Sequence, residues 1–324
     1  MSKRNKANLH GWVNFNKPLN MTSTQAVGLI RRVFQVKKVG HGGTLDPLAT
    51  GVLPIALGEA TKTIPYIQDA SKTYEFTVKW GEQRTTDDAE GDILHSSDQR
   101  PTMEDIEALL PEFVGDILQT PPQFSAIKIK GERAYDIARD GEHVDIQPRQ
   151  VYIQNITIIS HSEPESQRHN ETSFHVVCGK GTYIRAIARD MGQKLGCFGY
   201  VSALKRTKVG ALDVENAFSL DFFEKMRDNP NHYKDDALRA LLPVHAVLDD
   251  ILALNVTDVE AQRLKNGNKI VFVSRHDIDR LDQAQIDWQD KDQLHEVLLL
   301  HQEKPLAMAH IAGVSIQPVR VFNL

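Results

Sequence analysis

The sequence predicts an α+β fold, with a mixed-sheet domain over residues 10–245 and a small, mostly β domain over residues 249–324. Two observations predict this division. Apolar patterns of period two and period 3.6 are interspersed along the first part without regular βαβ order, and short β-rich runs dominate the second. The chain has 324 residues, of which 41% are apolar and 25% charged, so it is long enough for two folded domains.

The first predicted elements lie between residues 17 and 113. A turn at 17–20 precedes a helix that Thr22 or Ser23 can cap, with its apolar residues on one face. Residues 72–80 alternate strictly between apolar and polar side chains, which predicts a half-buried strand. Thr102 begins a second helix with an apolar stripe that extends to Phe113.

The next predicted elements alternate between strand and helix. Residues 151–159 and 174–178 are strand-like, and Thr182 is expected to cap a helix that ends at Gly196. A polar stretch with little apolar periodicity follows. We therefore place the domain boundary between residues 225 and 248.

The C-terminal part is predicted to be mostly β. Residues 251–256 are strand-like, and Thr257 to Glu260 form a capping box that begins a short helix ending at Asn266-Gly267. Four further β-rich runs follow, at 270–274, 295–300, 306–312 and 314–322.

Charge is distributed unevenly along the chain. The formal net charge is −5, which by itself argues against a polyanionic partner. However, residues 1–45 carry eight basic residues and no acid, and residues 178–210 carry seven basic residues against one acid. Residues 213–304 hold 19 acids and 11 bases. Because screening limits the reach of charge to roughly 8–10 Å, the two basic blocks can still bind a polyanion.

Cysteine content and hydropathy predict a cytoplasmic location. Cys178 and Cys197 are the only cysteines, and their spacing matches neither a redox pair nor a zinc pattern, so we expect two free thiols. No apolar run follows the basic N-terminus, and no stretch approaches 18 apolar residues. We expect no membrane contact and a monomer.

The densest unusual stretch is Gly40-His41-Gly42-Gly43-Thr44-Leu45-Asp46-Pro47-Leu48-Ala49-Thr50-Gly51. A phosphate loop is excluded because the loop lysine is missing, and a metal site would need a third ligand beside His41 and Asp46. A tight turn in which Asp46 caps backbone groups remains open. A histidine and an aspartate on a flexible loop inside a basic segment also suit a binding or catalytic site.

This stretch, continued by Gly58-Glu59-Ala60-Thr61-Lys62, resembles the signature of the bacterial TruB family, the tRNA pseudouridine-55 synthases. Other motifs occur in the family's order: Lys17-Pro18, Lys72-Thr73-Tyr74, Pro121 to Lys128, Lys180 to Arg185, and Leu204 to Thr207. The resemblance covers roughly residues 10–220, and the tail resembles a small PUA-type RNA-binding domain. The resemblance over residues 10–220 implies a mixed sheet like that of pseudouridine synthases.

Two positions depart from the family's pattern. Asn20 stands where glycine is usual, and asparagine tolerates left-handed geometry, so we expect the turn to persist. Arg84 stands where threonine is common.

The resemblance also implies roles for individual residues. Asp46 would be the catalytic nucleophile, with Arg185 beside it and Tyr74 stacking on the target base or assisting proton removal. His41 would fill the space left by flipped nucleotides, Tyr183 and Leu204 would complete the pocket, and Lys17 would support it. From the residues alone, Arg185 is expected in solvent, and Tyr183 and Leu204 in a core.

The implied reaction is the isomerisation of uridine 55 in the T loop of tRNA, with no cofactor and no metal. An RNA-gripping insertion is expected at residues 121–150, where five bases and five acids predict directed contacts and mobility without RNA. The alternative is a tRNA-binding or tRNA-folding module that keeps the fold without the chemistry. The acidic tail is expected to contact RNA only weakly.

Overall fold

The computed structural model describes residues 8–125, 128–129, 132–133, 145–162, 170–230, 232 and 234–324. These residues form one nine-stranded sheet, one five-stranded sheet and two two-stranded sheets, with helices interspersed. The α+β prediction is confirmed.

The strands of the larger part are β1 (Gly11–Lys17), β2 (Val39–His41), β3 (Ala49–Leu57), β4 (Lys72–Trp80), β5 (Glu82–Arg84), β6 (Ile93–Ser96), β7 (Gly115–Gln119), β8 (Lys128–Ile129), β9 (Glu132–Arg133), β10 (Arg149–His161), β11 (Glu171–Cys178), β12 (Gly199–Val209) and β13 (Leu212–Asp213). Its helices are α1 (Ser23–Phe34), α2 (Ile64–Asp69), α3 (Met103–Leu109), α4 (Ile184–Lys194), α5 (Leu220–Asp228) and α6 (Lys234–Arg239).

The nine-stranded sheet brings distant segments side by side. Its order is β1-β3-β12-β4-β11-β10-β7, with β2 beside β3 and β13 beside β12. Among its described strands, β3 and β12 form the one parallel pair, in which Leu204 lies opposite Ala49 and Arg206 opposite Gly51. This register places the loop that precedes β3 against β12.

Two apolar clusters support that sheet. In one, α3 and α4 pack against β4, β10 and β11, with Phe76, Phe174 and Met191 almost fully buried. In the other, α1 and α5 pack against β1 and β3, around Phe15 and Phe223. The alternation predicted for β4 is confirmed, because Phe76, Val78 and Trp80, at every second position, are buried, while the residues between them are partly exposed.

The C-terminal part is a five-stranded sheet with two helices. Its elements are β14 (Leu252–Asn255), α7 (Asp258–Lys265), β15 (Ile270–Val271), α8 (Arg275–Gln283), β16 (Leu294–His301), β17 (Lys304–Ala312) and β18 (Ser315–Val321). The strand order is β14-β16-β17-β18-β15. The mostly β character is confirmed, and the capping box of Thr257 with Glu260 is present.

The two parts share a buried surface. An apolar cluster joins residues of β1, β3 and β12 to residues of β16 and β17, including Trp12, Leu298 and Met308. Hydrogen bonds also join the two parts. Lys62 Nζ donates to the Val321 carbonyl at 2.7 Å, and the Asn323 amide donates to the Glu59 carboxylate at 2.9 Å.

Several local predictions are wrong. Thr182 does not cap α4; its hydroxyl donates to the Gly179 carbonyl instead, and Tyr183 occupies the N-cap without a side-chain bond. The polar stretch at 225–239, which has little apolar periodicity, overlaps the end of α5 and contains α6, and Met226 belongs to the buried face of α5. The run at 270–274 shortens to a two-residue strand followed by α8.

Other predictions are confirmed or fall outside the description. Asn20 has φ 62°, the left-handed geometry expected for the turn. Cys178 and Cys197 are free, buried thiols. Residues 126–127, 130–131 and 134–144 lie outside the described part of the chain, so the expectation of a mobile insertion stays a prediction. Of the helices that are described, none is long and apolar enough to cross a membrane.

Candidate active site

Asp46 lies in the loop of residues 42–48, between β2 and β3, which we call the Asp46 loop. Buried side chains form hydrogen bonds with the backbone of this loop. The Ser23 hydroxyl, at the start of α1, bonds both the amide and the carbonyl of Leu45 at 3.0 Å. Lys17, at the end of β1, is fully buried and donates to the Pro47 carbonyl at 3.3 Å. The loop is therefore fixed from the side of β1 and α1.

Arg206 holds the same loop from β12. It is 2% exposed, and its guanidinium donates to the carbonyls of Val52, Gly43 and Thr44 at 2.8, 3.1 and 3.4 Å. The strand next to it approaches closely at Gly51, which has φ 100° and where an added Cβ would lie 2.2 Å from the Arg206 carbonyl oxygen. Only glycine fits this contact without displacing one of the two strands.

The side chain of Asp46 forms an ion pair with Arg185, the second residue of α4. Arg185 Nε lies 2.9 Å from Asp46 Oδ2, and the two side chains are 7% and 37% exposed. The Asp46 carboxylate is thus directed by a buried cation while one side of it faces an opening. The turn interpretation accounts only for the Asp46 backbone, whose carbonyl accepts from the Ala49 amide at 3.1 Å.

Further contacts fix Arg185 in place. Its Nη1 and Nη2 atoms donate to the Thr86 and Phe124 carbonyls at 2.9 and 3.0 Å. Asp88 Oδ2 lies 3.6 Å from Nη1, and the Asp88 side chain is 9% exposed. The guanidinium therefore lies between two carboxylates, of which only Asp46 is substantially open to solvent. The solvated position expected from the residues alone is wrong.

A small pocket connects these charged groups to apolar side chains. Its lining residues are Asp46, Leu48, Ala49, Asp88, Arg185, Val201, Ser202, Ala203 and Leu204. Leu204 thus lies where the sequence resemblance expects it. A larger, open groove of about 530 Å³ continues from Leu48, Ser202, Ala203 and Leu204 to Glu75, Thr77 and Lys205. The groove could accommodate neighbouring parts of a large substrate.

The two aromatic candidates are not among the residues that line this pocket: Tyr74 lies on β4, and Tyr183 is the N-cap of α4. Burial raises the pKa of Tyr74 above its usual value, and the nearby Arg206 guanidinium only partly offsets this. Burial also raises the pKa of Tyr183, with Asp46 and Arg185 among the charges that act on it. Both hydroxyls therefore stay protonated at neutral pH.

His41 and Lys17 occupy different surroundings. His41 lies on β2 and is partly exposed, and its Nδ1 accepts from the Gly43 amide at 3.4 Å, at the entrance to the Asp46 loop. Burial lowers the pKa of Lys17 to about 8, although Asp46 opposes this shift. Within the described residues, no three His, Cys, Asp or Glu side chains are grouped so that they could hold a metal ion.

Sequence reasoning missed three residues of this site. Arg206 belongs to the Leu204–Thr207 motif, which was the signal that could have identified it. Asp88 lies between β5 and β6, four residues after Arg84. Ser23 was considered only as a helix cap, whereas Thr22 is the cap and Ser23 holds the Asp46 loop.

Comparisons with known proteins identify the family of this chain. A model of the TruB family pseudouridylate synthase N-terminal domain matches residues 31–184, and a tRNA pseudouridylate synthase B C-terminal domain model matches residues 185–249. A protein of Rhodopseudomonas palustris named tRNA pseudouridine synthase B is 46% identical over 325 residues, covering 99% of this chain and 83% of that protein. The protein of that name from Caulobacter vibrioides is 43% identical and is covered completely.

The fold also has solved counterparts. A chain in the structure of an H/ACA RNP bound to a substrate RNA containing 2′-deoxyuridine superposes with a TM-score of 0.68 at 19% identity, covering 97% of this chain and 85% of that one. The family models and these relatives, together with the mixed sheet, identify the chain as a pseudouridine synthase, an isomerase. Within that class, the chain belongs to the TruB family.

Proposed function

We propose that this enzyme isomerises uridine 55 in the T loop of tRNA to pseudouridine, with Asp46 as the nucleophile. The observation that carries the proposal is the ion pair of Asp46 with the buried Arg185, in a pocket that leaves the carboxylate accessible. The relatives named tRNA pseudouridine synthase B support tRNA as the substrate.

The reaction breaks the bond between N1 and C1′, turns the base, joins C5 to C1′ and removes the C5 proton. An oriented carboxylate can attack the base at C6 or the sugar at C1′, or assist elimination from the sugar. Arg185 fixes the direction of the Asp46 carboxylate and stabilises its charge, because a guanidinium donates from a rigid, permanently charged plane. N1 takes up a proton as C5 loses one, so the product is an isomer of the substrate and the reaction needs no external oxidant or reductant.

The target base has to leave the RNA stack to reach Asp46, which costs a few kcal/mol. Stacking on Tyr74 would offset about 1–3 kcal/mol of this cost. Its raised pKa keeps Tyr74 protonated at neutral pH, and a neutral phenol is a poor proton acceptor. We therefore assign Tyr74 to stacking and to donating a hydrogen bond rather than to accepting the C5 proton. Tyr183 and Leu204 would close the pocket, and His41 would fill the space left by flipped nucleotides.

We also propose that residues 10–245 form the catalytic domain and residues 249–324 a PUA-like domain that contacts RNA weakly. The separate sheets support this division, although the two parts share an apolar cluster. The acidic surplus of residues 213–304 explains the expected weakness, since phosphate contacts need cations.

The deciding experiment compares the wild type with Asp46→Asn on unmodified tRNA. Pseudouridine in the T loop is measured by release of tritium from C5-labelled uridine and by mapping the modified position. We expect the variant to lose at least about 10³-fold in rate while its RNA affinity and melting temperature change little, because the amide keeps the shape and loses the nucleophile.

The alternative function, a tRNA-binding module without chemistry, gives a different result. In that case the wild type would bind tRNA without releasing tritium. Activity that persists in Asp46→Asn would remove Asp46 from its assigned role, and modification at another uridine would contradict position 55.

A further inference from the structure

Gln119, the last residue of β7, is attached to the start of α4. Its side chain is 1% exposed and pairs with the backbone of one residue in both directions. The Tyr183 amide donates to Gln119 Oε1 at 2.8 Å, and Gln119 Nε2 donates to the Tyr183 carbonyl at 3.2 Å. Tyr183 is the N-cap of α4 and provides no side-chain cap of its own, so Gln119 satisfies its backbone from another element.

Two arginines of α4 extend this attachment into the segment after Gln119. Arg189 Nη2 donates to the Thr120 carbonyl at 2.7 Å, and Arg185 Nη2 donates to the Phe124 carbonyl at 3.0 Å. Arg189 also pairs with the buried Asp87 at 3.0 Å. Residues 119–124 are thus joined to the first turns of α4 at three points, each made by a largely buried polar group.

We propose that Gln119 is a positioning residue for the reaction, acting through Tyr183 on Arg185 and so on Asp46. This inference rests on the proposed function. Arg185 follows Tyr183 by two residues, and its Nε lies 2.9 Å from Asp46 Oδ2. A shift of about 1 Å in a group that orients a reacting atom can cost about 10²-fold in rate.

Only an amide at position 119 can make both bonds. Glutamate has acceptors alone, so it would keep the bond from the Tyr183 amide and place a carboxylate oxygen against the Tyr183 carbonyl. Leucine has neither donor nor acceptor. It would leave the Tyr183 amide without a partner and the Tyr183 carbonyl with only the bond from the Ile187 amide at 3.2 Å. The series Gln, Glu, Leu therefore removes the two bonds in steps at similar side-chain volume.

The experiment measures single-turnover rate at saturating tRNA, tRNA affinity and melting temperature for Q119E and Q119L. We expect the rate to fall about 10- to 100-fold in Q119L and less in Q119E, with the dissociation constant for tRNA within about twofold of the wild type. Thr172→Val is the matched control. It removes the hydrogen bonds of the Thr172 hydroxyl with Trp80 Nε1 at 2.9 Å and with His161 Nδ1 at 2.8 Å in the same sheet, so it should lower the melting temperature without changing the rate.

A second measurement separates this proposal from the proposed function. Amide hydrogen exchange at residues 183–189 should accelerate in Q119L and stay unchanged in Thr172→Val, whatever the substrate. An unchanged rate in Q119L, with only its melting temperature lowered, would overturn the positioning role. A wild type without activity would overturn the proposed function, and unchanged exchange would then overturn the positioning of Arg185 as well. If Q119L does not fold, the same comparison is decided with Q119E.

Discussion

At the scale of single residues, the site depends on cations that are buried beside the Asp46 loop. Arg206 and Lys17 bond the loop's carbonyls, while Arg185 pairs with its carboxylate. A buried cation is costly unless its donors are satisfied, and backbone carbonyls satisfy most of them here. Three of these carbonyls, those of Gly43, Thr44 and Pro47, belong to the Asp46 loop. The cost of burial is thereby linked to one loop conformation.

Lys17 gives the site a predicted alkaline limit. Its Nζ donates to the carbonyls of Pro18, Met21 and Pro47 at 3.0, 2.8 and 3.3 Å, and burial lowers its pKa to about 8. Above that pH the neutral amine has only two donors, so one carbonyl loses its partner. We expect the single-turnover rate to fall as pH rises through about 8.

The contribution of Lys17 to stability should increase over the pH range in which the rate falls. The pKa of Lys17 in the folded protein lies below the ordinary lysine value of 10.5. Between about pH 8 and 10.5 the unfolded chain therefore binds more protons, and this contribution to the unfolding free energy rises with pH. In Lys17→Arg, whose guanidinium stays charged, the alkaline fall in the remaining activity should disappear.

Lys72→Arg is the control, because burial also lowers the pKa of Lys72 to about 8 while its bonds go to the carbonyls at the end of α2. The alkaline fall should persist in this variant. If it persisted in Lys17→Arg as well, Lys17 would not be the titrating group.

At the scale of elements, the parallel pairing of β3 with β12 fixes the geometry of the proposed active site. It places Arg206 opposite Gly51 and lets the guanidinium reach back to the Asp46 loop. Two strands that lie far apart in the sequence therefore form one rigid support for the Asp46 loop. Loops carry the chemistry, and their position comes from the paired strands beneath them.

Gly51→Ala should disrupt this pairing. The added Cβ would lie 2.2 Å from a backbone oxygen at φ 100°, so we expect a loss of about 2–4 kcal/mol in the unfolding free energy, measured by urea denaturation, and a lower rate. Gly28→Ala is the matched control, because nothing lies within 4 Å of the added Cβ inside α1. It should stabilise the protein by about 0.5–1 kcal/mol. A mild effect at Gly51 would show that the strands can separate at little cost.

At the scale of the whole molecule, the apolar cluster between the two sheets links their stabilities. Trp12 and Val52 from the larger part and Met308 from the smaller part are fully buried in it. The two parts could not separate from each other without exposing these side chains to water.

We therefore expect one cooperative thermal transition in calorimetry, with equal calorimetric and van't Hoff enthalpies. Tryptophan fluorescence and far-UV circular dichroism should follow the same curve. Two separated transitions would contradict this linkage. The variant Met308→Ala, which leaves a cavity in the shared cluster, should lower the single melting temperature without dividing the transition.

Much of the local structure could be predicted from the sequence because its causes lie within a few residues. Thr22 and Thr257 cap helices through groups three positions away, and the alternation in β4 directly gives its buried face. Thr182 shows the limit. Its surroundings suit a cap, yet the hydroxyl bonds Gly179 and the backbone of Tyr183 is satisfied by Gln119 instead.

The sequence by itself determined the fold class, the family resemblance and the identity of Asp46 as the leading candidate, since glycine spacing and motif order are properties of the chain alone. Only the tertiary structure decided that Arg185 is buried, that Arg206 and Ser23 hold the Asp46 loop, and that Gln119 reaches Tyr183. These contacts join segments far apart in the chain. Strand pairing and packing decide which residues meet in these contacts, so no local sequence pattern predicts them.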